Sequence, residues 1–196
     1  MEQTLPPKAT FVGSNDLEAG ALQTKEVCRL LGGKGNILLM NGDLSNQSTI
    51  KRTQSVKEVI SKPPCNGMKI VGEQTANWNR LQGSDLMMKW LSAGIKFDAV
   101  LANNDEMAIG AIQALKSARK FNKNTIVAGV DATKEALAAM KAGELKATVL
   151  QDADGQARMA VDAALKMIKG QKVESKIWVP FALVTPGNMQ KYLARN

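Results

Sequence analysis

Residues 98–115 read DAVLANNDEMAIGAIQAL. An apolar run, Ala99-Val100-Leu101-Ala102, stops at Asn103-Asn104-Asp105, and apolar residues then recur at helical spacing. A short apolar run without alternation fits a strand covered on both faces of a sheet. The polar burst at the junction is partly explained by capping. Asn and Asp side chains accept hydrogen bonds from the free N–H groups of a first helical turn. Capping uses one polar residue, however, and three stand here.

The same order, strand then polar end then helix, recurs along the chain. NILLMNGD carries an apolar run ending at Asn41-Gly42-Asp43, and the helix after it has Val56, Val59 and Ile60 on one face before Pro63-Pro64 closes it. MKIVGEQTANW ends in Glu73-Gln74 and leads into a helix from about Asn79 to Ala93, which Gly94 terminates. NTIVAGVDAT ends at Asp131 before a helix over 134–142. LKATVLQDADG ends at Gln151-Asp152 before a helix running to Ile168. A helix from Asp16 to Leu31 precedes them all and stops at Gly32-Gly33. Pro180 in IWVPFALV demotes that stretch to edge or crossing strands. Strands alternating with helices at this spacing give βαβ units with right-handed crossovers. The fold class is therefore α/β, a doubly wound, mostly parallel sheet with helices on both faces.

Bulk composition narrows the chemistry. With 196 residues, 44% hydrophobic and 22% charged, the chain reads as a globular protein with a sizeable core. The net charge of +8 invites a nucleic-acid reading, but the basic residues are scattered (Lys116, Arg119, Lys120, Lys134, Lys141) with no arginine block or basic-aromatic strip. These are solvated helix faces, and no nucleic-acid partner is expected. The chain has no histidine, which removes the commonest general base and the commonest metal ligand. No GxGxxG, GxxxxGK[ST] or GxSxG loop occurs, so neither an enzyme, a cofactor nor a metal is expected. Cys28 and Cys65 match neither a CxxC nor a zinc spacing and read as two isolated thiols rather than a disulfide. No apolar run reaches a membrane span. The start, MEQTLPPKAT, lacks the basic and apolar regions of a secretory signal and reads as a leader over residues 1–10.

In a parallel sheet all strand C-termini lie along one edge, and ligands of open α/β folds bind in the crevice outside it. Asn41 and Asp43, Gln74, Asn103 to Asp105, Asp131, and Gln151 with Asp152 fall at five such ends. Amides donate and accept, whereas carboxylates only accept. That mixture suits a neutral ligand covered in hydroxyl groups. Trp78, just beyond a strand end in TANW, is a stacking platform for the apolar face of a sugar. Taken one at a time, each residue has an ordinary reading as a cap, a turn or a packing residue.

LANNDEMAIGAIQAL resembles the strand-helix signature of periplasmic sugar-binding proteins of the ribose-binding type, the solute receptors of ABC transporters. IVAGVDATKEALAAMKAGELKATVLQ is similar to the next unit of that family, and the likeness extends from about Val12 to Val184. Receptors for cyclic polyols such as inositol are the nearest subgroup. The resemblance implies a non-enzymatic, periplasmic receptor that closes on a sugar or cyclic polyol and delivers it to an ABC transporter permease. Asn104 and Asp131 would hydrogen-bond ring hydroxyls, Gln151 would lie at a hinge and reach the ligand, and Trp78 matches the aromatic stacker.

Two departures qualify that likeness. The family usually carries A-R-x-R-T-x-G with a ligand arginine first, whereas this chain reads STIKRTQSV. Arg52 matches the second arginine, Ile50 fills the ligand position, and Ser55 replaces the glycine. A buried Ile50 would forfeit a charged hydrogen bond of about 1.5–3 kcal/mol, or ten- to hundredfold in affinity, unless Arg52 or Lys51 compensates. The chain also begins where the family's first lobe ends. Residues 11–151 read as a C-terminal-type sugar-binding lobe, 152–180 as a segment of the N-terminal lobe, and 181–196 as a return to the C-terminal type. A lobe alone would bind weakly or not at all.

The helix over 156–168 would then expose Met159, Ala160, Ala163, Ala164, Met167 and Ile168, a patch that self-association would cover. Light scattering over a wide concentration range checks this, and a strictly monomeric protein counts against it. Two alternatives stay open: the ligand-sensing domain of a lactose-repressor-type regulator, and a scaffold lobe that has lost its ligand.

Overall fold

The computed structural model describes residues 9–122 and 124–193. Most of the expected leader thus lies outside the described residues, and the first strand begins at Phe11. Two compact units emerge. The larger holds Asp16–Leu150 with the chain from Ala182 onward, and the smaller holds the chain up to Asn15 with Gln151–Phe181.

In the larger unit the central sheet is parallel. Its strands are β2 (Lys34–Asn41), β3 (Gly67–Thr75), β4 (Ala99–Ala102) and β5 (Ile126–Ala128), in the order β3-β2-β4-β5. Isolated parallel bridges, Ala128 to Ala147 and Asp131 to Leu150, continue it to β6 (Thr148–Leu150), against which β8 (Ala182–Val184) runs antiparallel. The strand that decides the layering is β2. Successive side chains of a strand point to opposite faces, so Ile37 and Leu39 enter one core with Val27, Cys28 and Val56. Leu38 and Met40 enter the other with Leu86, Met87, Trp90 and Met107. All four β2 side chains are fully buried, each contributing about 1.5–3 kcal/mol. Helices therefore cover both faces, as the sequence implied.

The first core is closed by α1 (Asp16–Leu31) and α2 (Gln47–Ile60), and the second by α3 (Arg80–Ser92), α4 (Asp105–Ser117) and α5 (Lys134–Lys141). Caps stop the helices where the sequence placed them: Asn79 opens α3 by accepting from the Gln82 N–H, and Ala93 closes it. The buried Gln23 amide of α1 donates to the Ala102 and Gly129 carbonyls at 2.8 and 3.1 Å, which fixes the ends of β4 and β5.

The cysteines correct the sequence reading. Cys28 at the end of α1 and Cys65 in the α2–β3 loop form a disulfide, with Cα atoms 5.6 Å apart. Spacing along the chain carried no sign of this, because the pairing arises from two helices packing on the same sheet face.

The smaller unit pairs β1 (Phe11–Gly13) in parallel with β7 (Lys176–Trp178), and α6 (Ala153–Ile168) packs on β1. Pro180 falls between β7 and β8, as its missing N–H requires. Only Gly155 and Ala163 of α6 are buried, and Ile168 is 81% exposed. Met159, Val161, Leu165 and Met167 are exposed as well.

Candidate functional site

The strand ends of the larger unit bring Arg52, Trp78, Asn104 and Asp131 together. Arg52 lies at the centre, only 4% exposed although it sits on α2. Its Nε donates to Asp16 Oδ1 at 2.9 Å and its Nη1 to the Asn103 carbonyl at 2.7 Å. The Nη1 atom also stands 3.8 Å from Asp131 Oδ1. The guanidinium carbon is 5.6 Å from the centre of the Trp78 ring, within cation–π range.

Trp78 reaches this position through strain. Asn77 and Trp78 both have positive φ, 49° and 63°, where side chains are costly. The indole then lies so close to Gly42 that a Cβ there would run into the ring. At the end of β5 the same device recurs: Asp131 has φ 119° and Ala132 φ 54°. Two pairs of strained non-glycine residues thus flank the sheet edge, the pattern expected where backbone strain serves a binding site.

Asp131 is the most accessible acceptor of the group, with its side chain 33% exposed. Burial pushes its carboxyl up to about 6; Arg52 opposes that, and the negative charges of Asp16 and Glu106 add to it. Among the described residues, its ion-pair partner is Arg52. Asn104 is spent more locally. Its Oδ1 caps α4 by accepting from the Met107 N–H at 3.0 Å, and its Nδ2 donates to the Trp78 carbonyl at 3.2 Å. Capping is therefore real for Asn104, and it also locks the strained tryptophan turn. Gln151, the fifth candidate, is the first residue of the smaller unit and follows β6 directly.

Most of the remaining strand-end residues serve the fold. Asn41 accepts from Thr53 Oγ1 at 2.9 Å and donates to Glu73 at 3.1 Å, tying β2 to α2 and β3. Asn103 Oδ1 accepts from the Gly42 N–H. Asp43 closes a turn onto Ser45, Asp152 caps α6, and Gln74 is exposed. Asp105 is fully buried, accepting from Thr148 Oγ1 at 2.7 Å and from the Thr133 N–H at 2.9 Å. Ile50 departs from expectation. It is 46% exposed and lines a surface cavity with Leu44, Thr53 and Lys57, so it is not a buried residue displacing a ligand group. The arginine that stands beside Asp131 and Trp78 is Arg52. Asp16, which grips it, was legible in the sequence only as a helix start. Among the described residues no cluster of His, Cys, Asp or Glu could hold a metal ion.

Burial raises the Asp105 carboxyl to about 8, against the Thr148 and Thr133 hydrogen bonds and with Asp131 adding to it. A carboxyl whose folded pKa exceeds its unfolded value stabilises the fold below the unfolded pKa, near 4, and loses that contribution as pH rises through the folded one. Stability is thus expected to fall between about pH 4 and 8, by up to about 1.4 kcal/mol per pH unit. In Asp105→Asn this slope should flatten. Thermal unfolding of both proteins across that range checks it, and identical pH profiles would remove Asp105 as the cause.

A parallel α/β sheet with a carboxylate, a guanidinium, an amide and an indole converging at its C-terminal edge has the architecture in which small-molecule sites of open α/β folds are found. Comparison with known proteins gives the family. Residues 4–172 match the periplasmic binding protein domain, and the chain belongs to that family. It is 55% identical, over 98% of its own length and 62% of the relative's, to a Rhizobium meliloti protein named for rhizopine binding. A solved ABC transporter solute-binding protein of Bacillus halodurans with bound myo-inositol is 44% identical, with TM-score 0.89 over 95% of this chain and 64% of that one. The Caulobacter myo-inositol binding protein, also solved with myo-inositol, is 29% identical with TM-score 0.87, covering 99% and 67% respectively. The chain thus spans less than two thirds of the first two proteins.

Proposed function

We propose that this chain is the ligand-gripping lobe of a periplasmic solute receptor for a cyclic polyol or monosaccharide, working with an ABC transporter permease. The observation that carries the reading is the Asp131 carboxylate, a third exposed beside the buried Arg52 guanidinium at the edge where Trp78 is forced into place. A ring of adjacent hydroxyls fits this set. The carboxylate accepts from two hydroxyls at once, the guanidinium donates to another, and the indole covers the apolar ring face. Asn104 and Gln151 complete the contacts by resemblance. The two solved relatives with bound myo-inositol support the inositol-like end of the range. The Cys28–Cys65 disulfide supports an oxidising compartment. In this reading residues 11–151 and 181–196 form the C-terminal-type lobe, and 152–180 belongs with a second lobe. Self-association through the exposed face of α6 is part of the same reading. The protein binds its ligand and does not transform it.

One lobe supplies part of the contacts that hinge closure completes, so millimolar affinity is expected. Calorimetric titration with myo-inositol, ribose, galactose and glucose should give heat with at least one. Asp131→Ala should weaken that binding tenfold or more. Because the ionised carboxylate is the acceptor and its pKa is about 6, affinity should fall about tenfold per pH unit below that point and level off above it. Silence with all four ligands at neutral pH would sink the proposal for this chain.

A further inference from the structure

Arg52 stands between two carboxylates and is not shared equally. Asp16 holds its Nε at 2.9 Å, while Asp131 is 3.8 Å from its Nη1, beyond hydrogen-bond reach. Asp16 is itself fixed. Ser48 Oγ donates to its Oδ2 at 2.9 Å, so Ser48 and Arg52, one turn apart on α2, take the two oxygens of the same carboxylate. The Asn103 carbonyl accepts from Nη1 at 2.7 Å and holds the far side of the guanidinium.

We infer that Asp16 is a positioning residue that keeps Arg52 from closing onto Asp131, so that Asp131 stays available to ligand hydroxyls. The inference rests on the receptor reading above. Its physical basis is competition for one cation. A guanidinium released from Asp16 would form a bidentate pair with the nearest carboxylate, and both members would then be occupied by each other. Held by Asp16, the guanidinium stays 3.8 Å from the Asp131 carboxylate, and the Trp78 ring keeps its cation. The charges facing Asp131 are Arg52, which lowers its pKa, and Asp16 and Glu106, which raise it; Asp131 in turn raises the pKa of the buried Asp105. Removing Asp16 therefore acts twice in one direction, by deleting a negative charge and by bringing Arg52 closer.

The test has one arm that needs no ligand. Carbon-13 NMR titration of the Asp131 carboxyl, assigned with Asp131→Asn, is expected to give an apparent pKa near 6 in the parent protein and a lower one in Asp16→Asn. Ser48→Ala, which loosens the grip without removing a charge, should shift it the same way by less, and serves if Asp16→Asn fails to fold. In the second arm, myo-inositol affinity at neutral pH should drop tenfold or more in Asp16→Asn, with Asp16→Glu recovering part of it. An Asp131 titration that does not move in either variant overturns the positioning role, as does a loss of affinity that only tracks a loss of thermal stability. Absence of polyol binding in the parent protein overturns the receptor reading instead, and the NMR arm then decides the role of Asp16 alone.

Discussion

Arg52→Met is expected to abolish measurable polyol binding and to lower stability by about 2–4 kcal/mol. Methionine keeps much of the buried stem and deletes the guanidinium. Several interactions end together, among them the 2.9 Å bond to Asp16, the 2.7 Å bond to the Asn103 carbonyl, the ion pair with Asp131 and the cation over Trp78. The stability loss comes less from the missing bonds than from what they leave. Asp16 and the Asn103 carbonyl stay largely buried with one partner fewer, and unpaired buried acceptors carry their full desolvation cost. Arg52→Lys should do little better for binding. A single ammonium cannot span Asp16 and Asn103 in the fixed fork that the guanidinium provides. Denaturant unfolding and calorimetric titration of the same samples separate the two effects. Undiminished binding in Arg52→Met would exclude Arg52 from the site, whatever its effect on stability.

The second large effect is expected at the disulfide. Cys28 and Cys65 close a loop with a sequence separation of 37, and removing that constraint from the unfolded chain costs about 3–4 kcal/mol. For a unit of this size the double variant Cys28→Ser/Cys65→Ser should unfold about 7–14 °C lower than the parent. Reductant added to the parent should reproduce most of the shift. Both cysteines are buried in the core between α1, α2 and the sheet, so the serine hydroxyls add a burial cost of the same sign. Equal unfolding temperatures with and without reductant would mean that the bond contributes nothing in solution. The candidate site lies at the strand ends, beside Asp16 at the start of α1, and Cys28 lies in the last turn of that helix, so ligand affinity below the new unfolding temperature should be unchanged.

Much of the fold was legible along the chain. Ile37 to Met40, Ala99 to Ala102 and the other apolar runs declare strands covered on both faces, and the glycines and prolines between elements set their ends. That information is local: periodicity, caps and turn chemistry act over a few residues, so one strand of text is enough to read them. The candidate site was legible in part. Trp78, Asn104 and Asp131 announced themselves because each follows a strand, and in a parallel sheet strand ends share an edge. The same rule also listed Asn41, Asp43 and Asp105, which the folded chain uses for itself. Which way a strand-end side chain points depends on packing that no local pattern encodes.

Three matters were left to the tertiary structure. Cys28 and Cys65 meet because α1 and α2 lie side by side on one sheet face, a distance that sequence separation does not measure. Ile50 and Arg52, two residues apart on a helix, face different surroundings: one lines an open surface and the other is buried in the site. Asp16 becomes a functional candidate only because a turn of α2 carries Ser48 and Arg52 to it. The sequence alone thus determined the elements, their order and the sheet edge on which the candidate residues lie. The partners of each charge were decided by long-range packing, because ion pairing and disulfide formation depend on separation in space and not along the chain.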